Sequence, residues 1–103
     1  MHDHKLKVFC AVAETGSFSK ASKMVNLTQP AVSLQIQALE ESYETALFER
    51  SGKNITLTAA GKLLYQYAKD ILNLYTTVEK EINNLTGLSK GSLQVGASST
   101  IGN

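Results

Sequence analysis

The sequence has little cysteine, no long hydrophobic run and no export signal. Cys10 is its single cysteine, so no disulfide can form within the chain. No stretch approaches the roughly 18 consecutive apolar residues that a membrane span requires, and the N-terminus lacks the layout of a signal peptide. These absences exclude a disulfide-stabilised secreted domain and predict a soluble, cytoplasmic protein with no membrane segment.

Charge of one sign is not in large excess either. Ten Lys and Arg residues stand against nine Asp and Glu, and the resulting net charge of +1 does not by itself indicate nucleic-acid binding. Because 43% of the residues are hydrophobic, the chain has enough apolar material to bury a core. Its 103 residues are sufficient for one compact domain with an appendage and too few for two full domains.

Helix-capping residues divide the first part of the chain into three helices. Asp3, Ser17 and Thr28 are predicted N-caps, and Gly16 and Asn26 are residue types that end helices in the left-handed conformation. The connection between the second and third helices is too short for antiparallel packing, so these helices must cross at a steep angle. The pattern therefore predicts a helix-turn-helix.

The third predicted helix has two contrasting faces. One stripe is expected to be buried, and it consists of Val32, Ile36, Leu39 and Tyr43. The opposite face begins with short, mostly uncharged residues that form hydrogen bonds or present methyl and ring carbons, and it consists of Pro30, Ser33, Leu34, Gln37 and Glu41. A surface of this kind can fit into a groove.

A hairpin and a long helix are predicted next. Short extended runs at 47–50 and 55–57 flank a turn at 51–54, which is typical of a hairpin, or wing. Thr58 caps a fourth helix that runs to about Thr86, and alternating steps of four and three between its apolar residues favour pairing with a second copy of the chain. The predicted dimerisation residues are Leu64, Ala68, Ile71, Tyr75, Val78, Ile82 and Leu85.

The face of the third helix carries the side chains that DNA recognition requires. Gln29 can bond an adenine edge bidentately, and Ser33 can contact a base or a phosphate. Pro30 and Leu34 can touch thymine methyl groups, and Gln37 lies on the same face. These residues are the candidate base contacts.

Candidate phosphate contacts come from helix starts and from cations. The N–H groups at the starts of the second and third helices, capped by Ser17 and Thr28, favour phosphate. Two segments of the sequence contain basic residues and no acidic ones. The first, between Thr15 and Leu39, contains Lys20 and Lys23, and the second, from Arg50 to Lys69, contains Arg50, Lys53, Lys62 and Lys69. Lys20, Lys23 and Lys53 are predicted to position the protein on the DNA backbone.

Five ordered blocks of the chain resemble the N-terminal region of LysR-type transcriptional regulators. They are Gly16–Ser22, Leu27–Ser33, Leu39–Glu41, Leu47–Arg50 and Leu57–Gly61. The tail Leu93–Ser98 resembles the first strand of that family's inducer-binding domain, and the strand pattern at 92–96 has no partner within the chain. The resemblance implies a mainly α fold, a winged helix-turn-helix of three helices plus a β-hairpin wing, followed by a long dimerisation or linker helix.

The same resemblance implies roles and partners. Gln29, Pro30 and Ser33 would approach bases in the major groove, and Arg50 would approach the minor groove or its phosphates. Residues 1–58 would form the DNA-binding domain, 59–86 the linker helix, and 87–103 a hinge and the start of a truncated effector-binding domain. The expected partners are double-stranded DNA at a pseudo-palindromic operator, a second copy of the chain, with a higher oligomer in the full-length protein, and a small-molecule inducer only through the missing domain.

Two departures from the family pattern matter. The family often has Arg where Leu34 stands and a basic residue where Gln37 stands, so this recognition face would rely more on apolar and amide contacts. Glu44 occupies the position where the family usually has glycine after the third helix. The way in which that helix ends is therefore not predicted.

Other functions remain as alternatives. The chain could be a coiled-coil assembly module whose small head binds protein rather than DNA, or the heptad residues could pack against a missing domain of the same chain. Ser17–Lys20 fits an S-x-x-K pattern without its accompanying motifs, and His2, His4 and Cys10 do not make a convincing metal site. We therefore predict no enzyme, no catalytic or metal-binding residue and no cofactor.

Overall fold

The computed structural model describes residues 4–86, which form helices and one antiparallel hairpin. The elements are α1 (His4–Thr15), α2 (Phe18–Val25), α3 (Gln29–Tyr43), β1 (Phe48–Ser51), β2 (Asn54–Leu57) and α4 (Ala59–Thr86). The predicted fold class, three helices with a hairpin wing and a long helix, is confirmed. The predicted cap at Asp3 and the predicted strand at 92–96 lie outside the described residues.

The helix-turn-helix is held by the predicted caps. The Ser17 hydroxyl accepts a hydrogen bond from the Lys20 N–H at 3.1 Å, and the Thr28 hydroxyl accepts one from the Ala31 N–H at 3.2 Å. Asn26 ends α2 in the left-handed conformation, with φ 58° and ψ 42°. Both cap types satisfy backbone groups that a helix end leaves without partners, so the short turn between α2 and α3 is fixed by local hydrogen bonds.

The core lies between the three short helices, the first residues of the hairpin and the first half of α4. It includes Val8, Phe9 and Val12 of α1, Ala21 of α2, Val32, Ile36 and Leu39 of α3, Leu47 and Ala68. The Phe9 and Phe48 ring centroids are 5.3 Å apart, a distance typical of favourable aromatic pairs. This core fixes α3 and the hairpin against one scaffold.

One predicted core residue is wrong. Tyr43 is 53% exposed, although it continues the stripe of Val32, Ile36 and Leu39. Tyr43 is the last helical residue of α3, one turn beyond Leu39, the last α3 residue in the core. Helical periodicity gives the direction of a side chain but not the point along the helix where the core stops.

Glu44 ends α3 in the way glycine usually does. It adopts the left-handed conformation with φ 56° and ψ 38°, and its N–H donates to the carbonyl oxygens of Glu40 and Glu41. The Thr45 N–H also donates to the Glu40 carbonyl oxygen, at 3.1 Å. The hydrogen bonds of a C-terminal cap are therefore made despite a side chain that disfavours this conformation by roughly 1–2 kcal/mol.

The hairpin β1–β2, called the wing from here on, closes with a two-residue turn. Phe48 pairs with Leu57 and Ser51 pairs with Asn54, which leaves Gly52 and Lys53 in the turn. Gly52 has a φ of +61°, as expected for the first central residue of a type II′ turn. This turn matches the right-handed twist of the two strands, which is why a glycine is needed at this position.

The start of α4 packs closely against the base of the wing. The Thr58 hydroxyl accepts from the Gly61 N–H at 3.0 Å and donates to the Ala46 carbonyl oxygen at 2.7 Å. The Thr58 N–H donates to the Leu47 carbonyl oxygen at 3.0 Å. Gly61 is buried, and a Cβ atom there would overlap the same Leu47 carbonyl oxygen. The glycine therefore permits a backbone-to-backbone approach that no other residue allows.

Helix α4 contributes to two compact units, which divide the chain after Leu72. In the first unit, α4 supplies Ala68 to the core, and Leu64, Tyr65 and Leu72 pack at its edge. In the second unit, the described residues are the end of α4, 73–86. None of the helices within 4–86 combines the length and hydropathy that crossing a membrane would require.

Candidate nucleic-acid interface

The first turns of α3 present the predicted base-contacting side chains to solvent. Gln29 and Pro30 are exposed in the first turn, and Leu34 is 65% exposed one turn later. Gln37 is exposed and Ser33 is half-buried. Val32, Ile36 and Leu39 are buried on the other side of the helix, so the two predicted faces of α3 are as expected except at Tyr43.

A groove lies between α3 and the wing. It has a volume of about 340 Å³ and is lined by Phe18, Ser33, Ile36, Gln37, Glu40, Phe48 and Arg50. Its apolar lining comes from Phe18, Ile36 and Phe48, and its polar lining includes Ser33, Gln37 and Arg50. The structure thus brings two predicted base contacts of α3 and the predicted wing contact, Arg50, to the same concave surface.

Arg50 is held by an aromatic ring. Its guanidinium carbon lies 4.8 Å from the centroid of the Phe18 ring, within the range of a cation–π interaction. The Phe18 ring in turn meets the Phe48 ring edge-on, at a centroid distance of 6.4 Å. Arg50 is therefore exposed to a ligand while its guanidinium is oriented by α2.

The predicted phosphate contacts are placed at exposed or helix-capping positions. Lys20 and Lys23 are exposed on α2, and Lys53 is exposed in the turn of the wing. The hydroxyl oxygens of Ser17 and Thr28 accept backbone N–H groups as N-caps. Their hydroxyl protons remain available to donate to a phosphate oxygen.

Glu40 is a residue of this interface that the sequence analysis did not single out. Its carboxylate oxygen Oε2 accepts the N–H of Leu47 at 2.8 Å and the N–H of Phe48 at 3.3 Å. The hydrogen bonds join the last turns of α3 to the first residues of the wing. The sequence offered one signal, the glutamate in the block Leu39–Glu41, but no spacing rule connects a helix glutamate with backbone donors seven and eight residues later.

The predicted dimerisation residues do not all lie on an available face. Ala68 is fully buried in the core of its own chain, and Leu64 packs against that core. Tyr75 is half-buried, whereas Ile71, Val78, Ile82 and Leu85 are exposed. The Ala68 side chain is thus already covered within its own chain.

The exposed apolar residues of α4 follow a neighbouring series. They are Leu63, Tyr67, Ile71, Leu74, Val78, Ile82 and Leu85. At 100° per residue these positions fall within an arc of about 100° of the helix. The sequence contains both series because steps of three and four fit each of them. The two series differ in exposure, because Leu64 and Ala68 of the predicted series pack in the core of their own unit.

The other titratable groups within residues 4–86 lie apart from the groove or pair with one another. Among residues 4–86, no group of three or more His, Cys, Asp or Glu residues is placed to hold a metal ion. Burial raises the pKa of the Cys10 thiol to about 11. Tyr65 and Lys69 both donate to Glu14 Oε2, at 2.9 and 3.2 Å, and these hydrogen bonds raise the pKa of each donor.

A pair of helices joined by a short turn, whose second helix exposes its opening turns, with a hairpin beside it, defines a winged helix-turn-helix protein. The sequence profile of the bacterial regulatory helix-turn-helix proteins of the lysR family matches residues 4–62. The chain belongs to this family.

Similar proteins carry names of transcriptional regulators. A probable RuBisCO transcriptional regulator of Porphyra purpurea is 45% identical over 98 residues, which cover 95% of this chain and 31% of that protein. The HTH-type transcriptional regulator CysL of Bacillus subtilis (strain 168) is 43% identical over 102 residues, or 99% of this chain and 34% of that protein. The chain thus spans about a third of the length of these two relatives.

Two similar crystal structures contain DNA. The CbnR_DBD–DNA complex superposes with a TM-score of 0.76 and 38% identity, over 82% of this chain and 98% of that chain. The complex of BenM_DBD with benA site 1 DNA superposes with a TM-score of 0.79 and 34% identity, over 84% of this chain and all of that chain.

Proposed function

We propose that this chain is the sequence-specific, double-stranded DNA-binding part of a bacterial transcriptional regulator. The single observation that carries the proposal is the groove that unites Ser33 and Gln37 of α3 with Arg50 of the wing, next to the exposed first turns of α3. Polar side chains on an exposed helix can enter the major groove, and the adjacent wing can reach the backbone or the minor groove. The regulator names of the relatives and the two DNA complexes support the same conclusion.

Each side chain has a role in this proposal. Gln29, Pro30, Ser33, Leu34 and Gln37 contact base edges and methyl groups in the major groove, and Arg50 contacts the minor groove or its phosphates. The phosphate contacts are Ser17, Lys20, Lys23, Thr28 and Lys53. A regulator of chromosomal DNA acts in the bacterial cytoplasm, and this chain needs no cofactor for the contacts described.

The proposed assembly is a symmetric dimer. The exposed apolar face of α4 would be covered by the same face of a second copy, which places two copies of α3 on the two halves of a pseudo-palindromic site. Whatever lies beyond this chain in a full-length regulator would bind the inducer and build higher oligomers. Leu74, which is 63% exposed, is a better probe of this face than the half-buried Tyr75.

Selection of bound duplexes from a random pool tests the proposal. The chain should enrich one pseudo-palindromic sequence, and affinity for that duplex should fall steeply with salt because phosphate contacts release counterions. Enrichment of no sequence, together with an affinity that does not depend on salt, would favour the coiled-coil assembly module instead. A dimer that forms in the absence of any DNA binding would point in the same direction.

A further inference from the structure

We propose that Glu40 is a positioning residue that sets where the wing holds Arg50 relative to α3. The inference rests on the proposed function, since it concerns how two parts of the same DNA-binding surface are kept in register. It adds a residue that contacts no DNA itself in this account and acts through the backbone of the wing.

The first step is the connection between α3 and the wing. After Tyr43 the chain leaves the helix, and residues 44–46 are exposed before Leu47 enters the core. The Glu40 carboxylate spans this exposed link by accepting the N–H groups of Leu47 and Phe48 at 2.8 and 3.3 Å. Hydrogen bonds to an ionised acceptor are stronger than neutral ones. The beginning of β1 is therefore tied directly to the helix that carries the base contacts.

The position of Phe48 also determines the position of Arg50. Side chains alternate along a strand, so Phe48 and Arg50 lie on the same face of β1. Phe48 packs against Phe9 and Phe18, and the Arg50 guanidinium carbon lies 4.8 Å from the centroid of the Phe18 ring. A change in the direction of β1 at Phe48 would move Arg50, which lies two residues further along the strand, away from Phe18 and from the groove.

The wing is attached to the core without the help of Glu40. Leu47 has anchors that do not involve Glu40, because its side chain is 1% exposed and its carbonyl oxygen accepts the Thr58 N–H. Loss of the Glu40 carboxylate therefore leaves the wing attached to the core. What is lost is the pair of bonds that fixes the direction in which β1 departs.

The first measurement uses the free chain and needs no DNA. Protons of the Arg50 side chain that lie over the Phe18 ring should have upfield-shifted NMR signals. Glu40→Ala should reduce that shift. Glu40→Gln should keep part of it, because both N–H groups donate to the same oxygen and an amide oxygen there can still accept them, although without the negative charge. Glu41→Ala is the matched control, since Glu41 is the next acidic residue of α3 and is exposed. A ring-current shift that is unchanged in Glu40→Ala would overturn the inference.

The second measurement uses the selected duplex and a double-mutant cycle. Arg50→Ala should weaken binding about tenfold in the wild-type background, about threefold or less in the Glu40→Ala background, and by an intermediate factor in the Glu40→Gln background. Gln29→Ala should cost the same factor in every background, because the opening of α3 does not depend on Glu40. An Arg50→Ala loss that is absent, or equal in all backgrounds, contradicts the positioning role. If no duplex is bound at all, the proposed function fails, whereas the NMR measurement still tests the geometry.

Discussion

Replacing Gly61 with alanine tests the close packing between α4 and the base of the wing. Helix propensity alone predicts a gain, because alanine is favoured over glycine in a helix interior by about 1 kcal/mol. The structure predicts the opposite. A Cβ at this position would overlap the Leu47 carbonyl oxygen and would lie 2.9 Å from Leu57 Cδ2 and 3.1 Å from the Leu47 carbonyl carbon. Two of these three neighbours are backbone atoms, so a side-chain rotation cannot relieve the contact.

The size of the effect follows from what must move. Overpacking of a dense core costs typically about 1–3 kcal/mol, and the rigid neighbours place this site near the upper value. Moving α4 away from Leu47 also weakens the hydrogen bonds that Thr58 donates to the carbonyl oxygens of Leu47 and Ala46, at about 1 kcal/mol in total. After the propensity gain of about 1 kcal/mol, the free energy of unfolding should fall by about 3 kcal/mol.

Thermal unfolding followed by circular dichroism measures this change. A loss of about 3 kcal/mol lowers the melting temperature of a domain of this size by more than about 10 °C. Gly52→Ala is the matched control, because nothing lies within 4 Å of the added Cβ and the cost is that of a φ of +61°, about 1 kcal/mol. A Gly61→Ala protein as stable as the wild type, or more stable, would refute the argument from packing.

Three further predictions concern the end of α3, the buried thiol and the face of α4. Glu44→Gly should raise the free energy of unfolding, measured by urea denaturation, by about 1 kcal/mol. The substitution removes both the cost of holding a side chain in the left-handed conformation and a negative charge at a helix C-terminus. Asn26→Gly is the control and should change the free energy of unfolding by only about a few tenths of a kcal/mol, because asparagine tolerates this conformation. The pKa of Cys10 is about 11 in the folded chain against 9.0 unperturbed, so the unfolded state releases its proton at a lower pH. The free energy of unfolding of the wild type should therefore fall by about 2–3 kcal/mol between about pH 9 and pH 11, relative to that of Cys10→Ala. A difference between the two proteins that stays constant over this range would contradict the buried thiol. Leu74→Asp should give monomers in light scattering, while a dimer that persists would mean that the second copy binds elsewhere.

Local signals made the helix-turn-helix predictable from the sequence. Ser17, Asn26 and Thr28 act within a few residues of themselves, so residue type and spacing are enough to place the helix ends. The same holds for the wing, where Gly52 lies between two short extended runs. The exposed face of α3 followed from the period of its buried residues, and with it the exposure of Pro30, Leu34 and Gln37.

Features that depend on distant parts of the chain were not predictable in this way. The exposure of Tyr43 depends on where the core ends, and the burial of Ala68 depends on how α4 lies on the core of its own unit. The two bonds of Glu40 depend on a turn whose course the sequence does not specify. Glu44 shows a related effect, because the hydrogen bonds of the helix end hold a residue in a conformation that its own preference opposes.

The central claim is that the opening turns of α3 read bases in a DNA duplex, and Gln29 is its most direct test. The measurement compares the affinities of the wild type and of Gln29→Ala for the selected duplex, for variants of each base pair and for an unrelated duplex, at one fixed salt concentration. Gln29→Ala should lose roughly 1–3 kcal/mol of binding free energy on the selected duplex, show a relaxed preference at one base pair and lose nothing on the unrelated duplex. Lys53→Ala should weaken the binding of all duplexes alike. Equal losses for Gln29→Ala on the selected and unrelated duplexes would contradict the reading of bases by α3.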